Sequence, residues 1–190
     1  GPVRALRVEP RRRGRDAAIR VSAAPAGLRR LAPWLLVAAV VAVLDQTTKA
    51  VVQAMLQPGA RIPVLPFLDL VLVFNDGAAF SFLAGAGGWQ RAFFIGIALA
   101  AAVLIVHLLR RHPGERLFCA GLALILGGAA GNLWDRVVLG HVVDFVLLHA
   151  HGWHWPAFNV ADSAITVGAA AQIWDGVFGH RAAGPDGRRA

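Results

Sequence analysis

Charge is scarce in this chain. Only 16% of its 190 residues are Asp, Glu, Lys or Arg, and just 11 are acidic. With a hydrophobic fraction of 57% and a mean hydropathy of +0.57, that scarcity excludes an ordinary soluble domain and indicates the membrane class. Cysteine is almost missing too. Cys119 is the only one and lies inside an apolar run, which excludes a disulfide framework and a cysteine-based metal cluster. The chain also has no HExxH spacing, no glycine-rich phosphate loop, no Gly-x-Ser-x-Gly elbow and no repeat of solenoid length. His149 and His151 are placed to share a strand face with His154 nearby, while His107 and His112 lie apart. With no cysteine among them, neither a metal nor a cofactor is expected.

The net charge of +8 suggests nucleic acid until its distribution is considered. Nine arginines fall within residues 1–30, Arg110, Arg111 and Arg116 form a second group, and Arg181, Arg188 and Arg189 a third. Fifteen of the 19 basic residues therefore flank apolar segments on what can be a single side. That is the positive-inside bias, a topology signal, and no nucleic-acid partner is expected.

A spanning helix needs about 20 mostly apolar residues. Four segments come near that length: Leu31 to about Leu56, about Trp89 to Leu109, about Leu117 to Trp134, and about Phe158 to Phe178. Four spans place all three arginine groups on one side, whereas an odd count would put one group outside. The expected fold is an all-α integral membrane protein with four transmembrane helices and a small extracytoplasmic β-structure. Residues 1–30 read as an Arg-rich cytoplasmic tail, largely disordered. Residues 31–178 read as the membrane domain and 179–190 as a cytoplasmic C-terminal tail. Gly1-Pro2 reads as the remnant of a cleaved tag, and the first span as an uncleaved insertion signal.

The two outward connections, 57–88 and 137–157, are not low-complexity. Ile62 to Phe74 is rich in Val, Leu and Phe and broken by proline, which predicts short strands. Trp153 and Trp155 suit a segment lying at the membrane interface.

Against this apolar background two aspartates stand out. Asp144 lies in Gly140-His-Val-Val-Asp144-Phe145, and Asp162 at the start of the last apolar stretch, in Phe158-Asn-Val-Ala-Asp162-Ser163. Ionisable groups near membrane depth are costly and mark functional sites. Two carboxylates that meet and share a proton can activate water. Asp162 alone could be a helix-start carboxylate with Asn159 as its cap, but that leaves Asp144 unexplained. Asp45 and Lys49, four apart, share a helix face, and either simple pairing or a part in the site accounts for them. Asn75-Asp-Gly-Ala-Ala-Phe-Ser81 begins as a turn, with Gly77 allowing close approach. Gly127-Gly-Ala-Ala-Gly131 permits tight helix packing. Asn132, Asp135 and Arg136 then fall on one helix face, with Arg136 able to neutralise Asp135. Under four spans, Asp45, Asn75, Asn132, Asp135, Arg136, Asp144, Asn159 and Asp162 all map to one membrane face, as the lining of a shared cavity would.

These blocks, Asp45-Gln-Thr-Thr-Lys49, Asn75 to Ser81, Gly131-Asn-Leu-Trp-Asp135-Arg136, Val142-Val-Asp144-Phe145 and Phe158 to Ser163, occur in the order found in lipoprotein signal peptidase, the bacterial type II signal peptidase, which the chain resembles over about residues 45–163. Asp76 falls where that family varies. The resemblance implies an aspartic endopeptidase of the bacterial inner membrane with Asp144 and Asp162 as its dyad. The implied substrate is a prolipoprotein whose cysteine carries diacylglyceryl, cut just before that cysteine beside membrane lipid. Globomycin-type cyclic peptides are the implied inhibitors. A non-enzymatic transporter or ion pathway lined by the same acids is the alternative, and it predicts polar residues at several depths. The Gly-x-Gly-Asp signature of another intramembrane aspartyl protease type is absent.

Overall fold

Long apolar runs that meet no water must satisfy their peptide groups internally, and a helix does so within one segment. The computed structural model describes residues 26–77 and 89–178 and forms four such helices: α1 (Ala26–Met55), α2 (Trp89–Arg111), α3 (Arg116–Val138) and α4 (Val160–Phe178). The first three are long and apolar enough to cross a membrane. At 23 residues each, α2 and α3 span about 35 Å, against a hydrocarbon core of about 30 Å. α4 has 19 residues, among them Asp162, Gln172 and Asp175, and is not one of the three. α1 begins at Ala26, inside the stretch expected to be tail; residues 27–30 are Gly-Leu-Arg-Arg, which simply continue the helix. The rest of that tail, the block from Ala78 to Ser81 and the C-terminal tail lie outside the described residues.

α3 is the central helix, packed on α1, α2 and α4, and glycine makes this possible. A Cβ on Gly127 would come within 2.5 Å of the Ala38 carbonyl of α1. One on Gly168 of α4 would lie 2.6 Å from the Gly121 carbonyl. Backbones therefore approach where side chains would hold them apart, as the small-residue run predicts. Outward residues such as Leu36, Val43, Val103 and Ile173 are exposed and apolar, as lipid contact requires.

The expected strands are present and join in one antiparallel sheet of order β1 (Arg61–Leu65), β2 (Leu68–Asn75), β3 (Val142–Ala150) and β4 (Trp153–His154). Pro63 sits in edge strand β1, where its missing N–H is tolerated, and the register shifts beside it. A second shift, between Leu70 and Val73, brings the end of β2 against the start of β3, with Asn75 opposite Val142 and Val73 opposite Asp144. Val52 of α1 and Leu56 just beyond it pack against Leu72, Val143 and Phe145, fastening the sheet to the helices. A second apolar cluster of Leu31, Ile105, Leu109, Cys119 and Leu122 closes the opposite end of the bundle. His151 is in the β3–β4 turn with φ 48°, off the strand face expected for it, because β3 ends at Ala150. His149 stacks instead on His154, with ring centroids 5.8 Å apart.

Candidate active site

Asp144 and Asp162 are 18 positions apart in sequence, and one strand-like contact brings them together. After the β3–β4 turn the chain returns along β3. The Phe158 N–H donates to the Val146 carbonyl (3.0 Å) and the Val146 N–H to the Phe158 carbonyl (2.8 Å). The next residue, Asn159, caps α4: its Oδ1 accepts the Asp162 N–H (2.9 Å), and the Asp162 carboxylate accepts the Asn159 N–H in return (3.3 Å). This reciprocal capping box fixes Asp162 in the first turn of α4. The Asn159 Nδ2 meanwhile donates to Asp144 Oδ1 at 2.7 Å. A single asparagine thus touches both carboxylates.

Each of the four carboxylate oxygens accepts one amide N–H. Asp144 Oδ2 takes the Asn75 Nδ2 (2.9 Å), and Asp162 Oδ1 takes the Asn132 Nδ2 (2.8 Å). Burial pushes the Asp144 carboxyl up to about 7. The neighbouring Asp162 charge adds to this, while the bonds from Asn75 and Asn159 and the Lys49 charge pull it back. Asp144 therefore gains and loses a proton near neutrality.

Behind the pair lies a buried ionic cluster. Lys49 Nζ stands 2.8 Å from Asp45 Oδ2, 2.8 Å from Asp135 Oδ2 and 2.9 Å from Asn132 Oδ1, so all three of its donors are occupied. Asp45 Oδ1 accepts the Ala161 N–H (2.9 Å), capping α4 from α1. Asp135 Oδ2 also accepts the Val143 N–H (3.1 Å), tying α3 to β3. Gln46 Nε2 donates to Asp135 Oδ1 (2.8 Å) and to the Gly131 carbonyl (3.2 Å). Buried charges survive only when paired and fully hydrogen-bonded, and these are.

The expected pairing of Arg136 with Asp135 does not form. Adjacent helix residues diverge, so Asp135 turns inward to Lys49 while Arg136 points along the cavity. There Arg136 donates to the Asn132 and Gly77 carbonyls (3.3 and 3.4 Å), with its guanidinium 5.0 Å from the Phe94 ring centre. Gly77 itself donates its N–H to Asn75 Oδ1 (3.0 Å), closing the expected turn. All ten residues singled out in the sequence, Asp45, Lys49, Asn75, Gly77, Asn132, Asp135, Arg136, Asp144, Asn159 and Asp162, belong to this one assembly.

A cavity of about 550 Å³ opens over the pair. Asn75, Asn132, Arg136, Asp144 and Asp162 form its polar end; Leu148, Trp155, Phe158, Ile165 and Val167 continue it as an apolar trough. Most of the buried polar groups among the described residues belong to this site. Gln172, further along α4, is occupied by the Phe118 carbonyl (2.8 Å). An ion pathway would need polar groups through the bilayer, and the described residues do not line one.

Two features escaped the sequence reading. Gln46 stands one position from Asp45, and its long side chain reaches round to α3. Asp69, inside the β-rich run, is buried between Arg61 of β1 and His149 of β3, whose Nε2 is 3.1 Å away. Burial alone would raise the Asp69 carboxyl; the hydrogen bonds from His149 and Arg61 outweigh it and hold it below the usual carboxylate range.

The sequence model of the signal peptidase (SPase) II family matches residues 37–178. A lipoprotein signal peptidase of Paraburkholderia phymatum is 56% identical over 151 residues, covering 80% of this chain and 90% of that protein. One of Janthinobacterium sp. is 56% identical over 143 residues, covering 75% and 87%. A solved structure described as a bacterial membrane enzyme, obtained by the in meso method at 2.3 Å resolution, superposes with a TM-score of 0.74 at 28% identity, covering 84% of this chain and 96% of that one. A second, at 1.9 Å, gives 0.69 at 30% identity. The chain belongs to the signal peptidase II family.

Proposed function

We propose that Asp144 and Asp162 are the catalytic dyad with which this signal peptidase, a multi-pass membrane protein that removes signal peptides from prolipoproteins, hydrolyses its peptide bond. The observation that carries the reading is the bridge through Asn159: one residue holds both carboxylates at the polar end of a single cavity, and Asp144 titrates near neutrality. With one proton on the pair, the ionised carboxylate takes a proton from water as the water oxygen attacks the scissile carbonyl. The protonated one hydrogen-bonds the carbonyl oxygen, and a proton then passes to the leaving nitrogen as the C–N bond breaks. Coupled acids titrate as a unit, so the reaction requires one proton on the pair.

The apolar trough suits the rest of the substrate. The signal helix lies against Ile165, Val167 and Phe158, and the diacylglyceryl chains of the modified cysteine stay in lipid beside it, with the cut falling just before that cysteine. Arg136, Asn75 and Asn132 position the peptide backbone, and globomycin-type cyclic peptides occupy the same trough. The topology follows from the arginines. The junction of α2 and α3 carries Arg110, Arg111 and Arg116 at the end of the bundle away from the dyad, which favours a cytoplasmic location for that end, with the dyad and sheet near the periplasmic face of the inner membrane. α4 then serves as the fourth crossing, about 28 Å long. Two of its polar residues have uses that make this tolerable, Asp162 in the dyad and Gln172 on the Phe118 carbonyl. Both termini are cytoplasmic in this arrangement.

The test is cleavage of a diacylglyceryl-modified prolipoprotein by the purified protein in lipid-containing micelles. Asp144→Asn and Asp162→Asn each abolish turnover while leaving substrate binding largely intact, and activity persists in EDTA. Substantial cleavage by either variant sinks the dyad.

A further inference from the structure

Lys49 does not line the cavity, yet it governs a group that does. An asparagine amide can present either its oxygen or its NH2 to a neighbour with little change of shape, so something must choose. At Asn132 the oxygen is claimed twice, by Lys49 Nζ at 2.9 Å and by Asn159 Nδ2 at 3.2 Å. The Asn132 NH2 is thereby turned to Asp162 Oδ1 at 2.8 Å. Reversal would set NH2 against the ammonium and oxygen against the carboxylate, two repulsive contacts at once. The ammonium cannot move aside, because Asp45 and Asp135 hold its other two donors at 2.8 Å and the side chain is 2% exposed. Asp45 is itself fastened to α4 through the Ala161 N–H. The result is a continuous chain of contacts from α1 to the pair.

We infer that Lys49 is a positioning residue of the peptidase: it locks the Asn132 amide with its N–H toward Asp162 and supplies a fixed positive charge that lets the dyad release its first proton. This rests on the dyad reading above. The charged groups around the pair are Asp45 and Lys49 from α1, Asp135 and Arg136 from α3, and the two aspartates themselves, Asp144 from β3 and Asp162 from α4. Of the two cations, Arg136 lies along the cavity, where substrate arrives and changes its surroundings. Lys49 stays shut off from the cavity, so its effect is the same in free and substrate-bound enzyme.

The experiment is the pH dependence of kcat/KM for Lys49→Met and Lys49→Gln, with Asp162→Asn alongside and folding followed by thermal unfolding in detergent. Methionine removes both lock and charge. Glutamine removes the charge but keeps a donor for Asn132, and guards against a methionine variant that fails to fold around Asp45 and Asp135. Without the ammonium the pair acquires its negative charge only at higher pH. The acid limb therefore moves up by on the order of one unit, further for methionine than for glutamine, with kcat reduced more than KM is altered. A merely structural lysine would lower the yield of folded protein and leave the limb in place. A wild-type profile in either folded variant overturns the lock while the dyad stands. Cleavage by Asp162→Asn overturns the dyad reading, and the lock with it.

Discussion

Replacing Asp144 by asparagine is expected to cost the enzyme its activity and yet make the folded protein more stable at alkaline pH than the wild type. The Asp144 carboxyl lies at about 7 against an ordinary 3.8. A folded-state value above the unfolded one means that stability is complete in acid and is lost as pH rises toward the folded value. The unfolded chain ionises freely through this window while the buried group does not. About three units correspond to about 4 kcal/mol given up between roughly pH 4 and pH 7. Asparagine carries no charge and gives up none of it. Its NH2, however, must face a donor, because Asn75 and Asn159 both donate to Asp144 at 2.9 and 2.7 Å, and one mismatched contact costs about 1–3 kcal/mol. The balance leaves Asp144→Asn less stable than wild type at pH 4 and more stable by about 1–3 kcal/mol at pH 8. Thermal unfolding in detergent at matched pH values reads this directly, at roughly 2–4 °C per kcal/mol for a chain of this size. A Tm difference between variant and wild type that stays constant from pH 4 to pH 8 would refute the argument, since it would mean that the Asp144 charge is not held back in the folded state.

Other perturbations separate the parts of the site. Asn159→Ala removes the α4 cap and a charge-assisted bond to Asp144 together; it lowers stability by about 2–4 kcal/mol and shifts the activity profile to higher pH, and wild-type kinetics at wild-type Tm would refute the bridge. Gly131→Ala drives a methyl to within 2.5 Å of Asp45 Oδ2, so it costs about 1–3 kcal/mol and reduces kcat by disturbing Lys49, whereas Gly114→Ala, with open space around it, does neither. Asp69→Asn loosens β1 and β3 from β2, raises KM for a lipopeptide and speeds proteolysis between residues 61 and 75. Because the Asp69 carboxyl is held low, this deficit is full at neutral pH and fades as acid protonates the wild-type group; a KM unchanged at neutral pH would refute a coupling between Asp69 and the β3 residues that line the cavity.

Much of this was legible in the sequence because the membrane forbids idle charge. Asp144 and Asp162 stood out by their cost, while for Asp45 and Lys49 a plain ion pair explained the sequence as well as a part in the site; apolar length marked the helices within a few residues. The strands around Pro63 were visible for a similar reason, since β-branched and aromatic residues broken by proline fit few other structures. What could not be read was pairing across space. The register shift between Leu70 and Val73, which sets Asn75 beside Asp144, leaves no trace in either strand's own pattern. The partner of Asp135 was misread because sequence adjacency favoured Arg136, although helical geometry sends neighbouring side chains apart and Lys49 arrives from another helix. Asp69 was passed over because one acid in a strand looks like a solvated face until His149 and Arg61 close over it.

The cap that Asp45 places on α4 bears on how the enzyme comes into being. Elements are made in chain order, and α4 is the last of the described helices. Its first turn holds one of the two acids, and its anchors, Asp45, Asn132 and Val146, lie on segments made earlier. A nascent chain that stops after β3 therefore contains Asp144 but not Asp162. On the proposed dyad, peptide hydrolysis waits for α4 to dock, and catalytic activity doubles as a readout of completed folding.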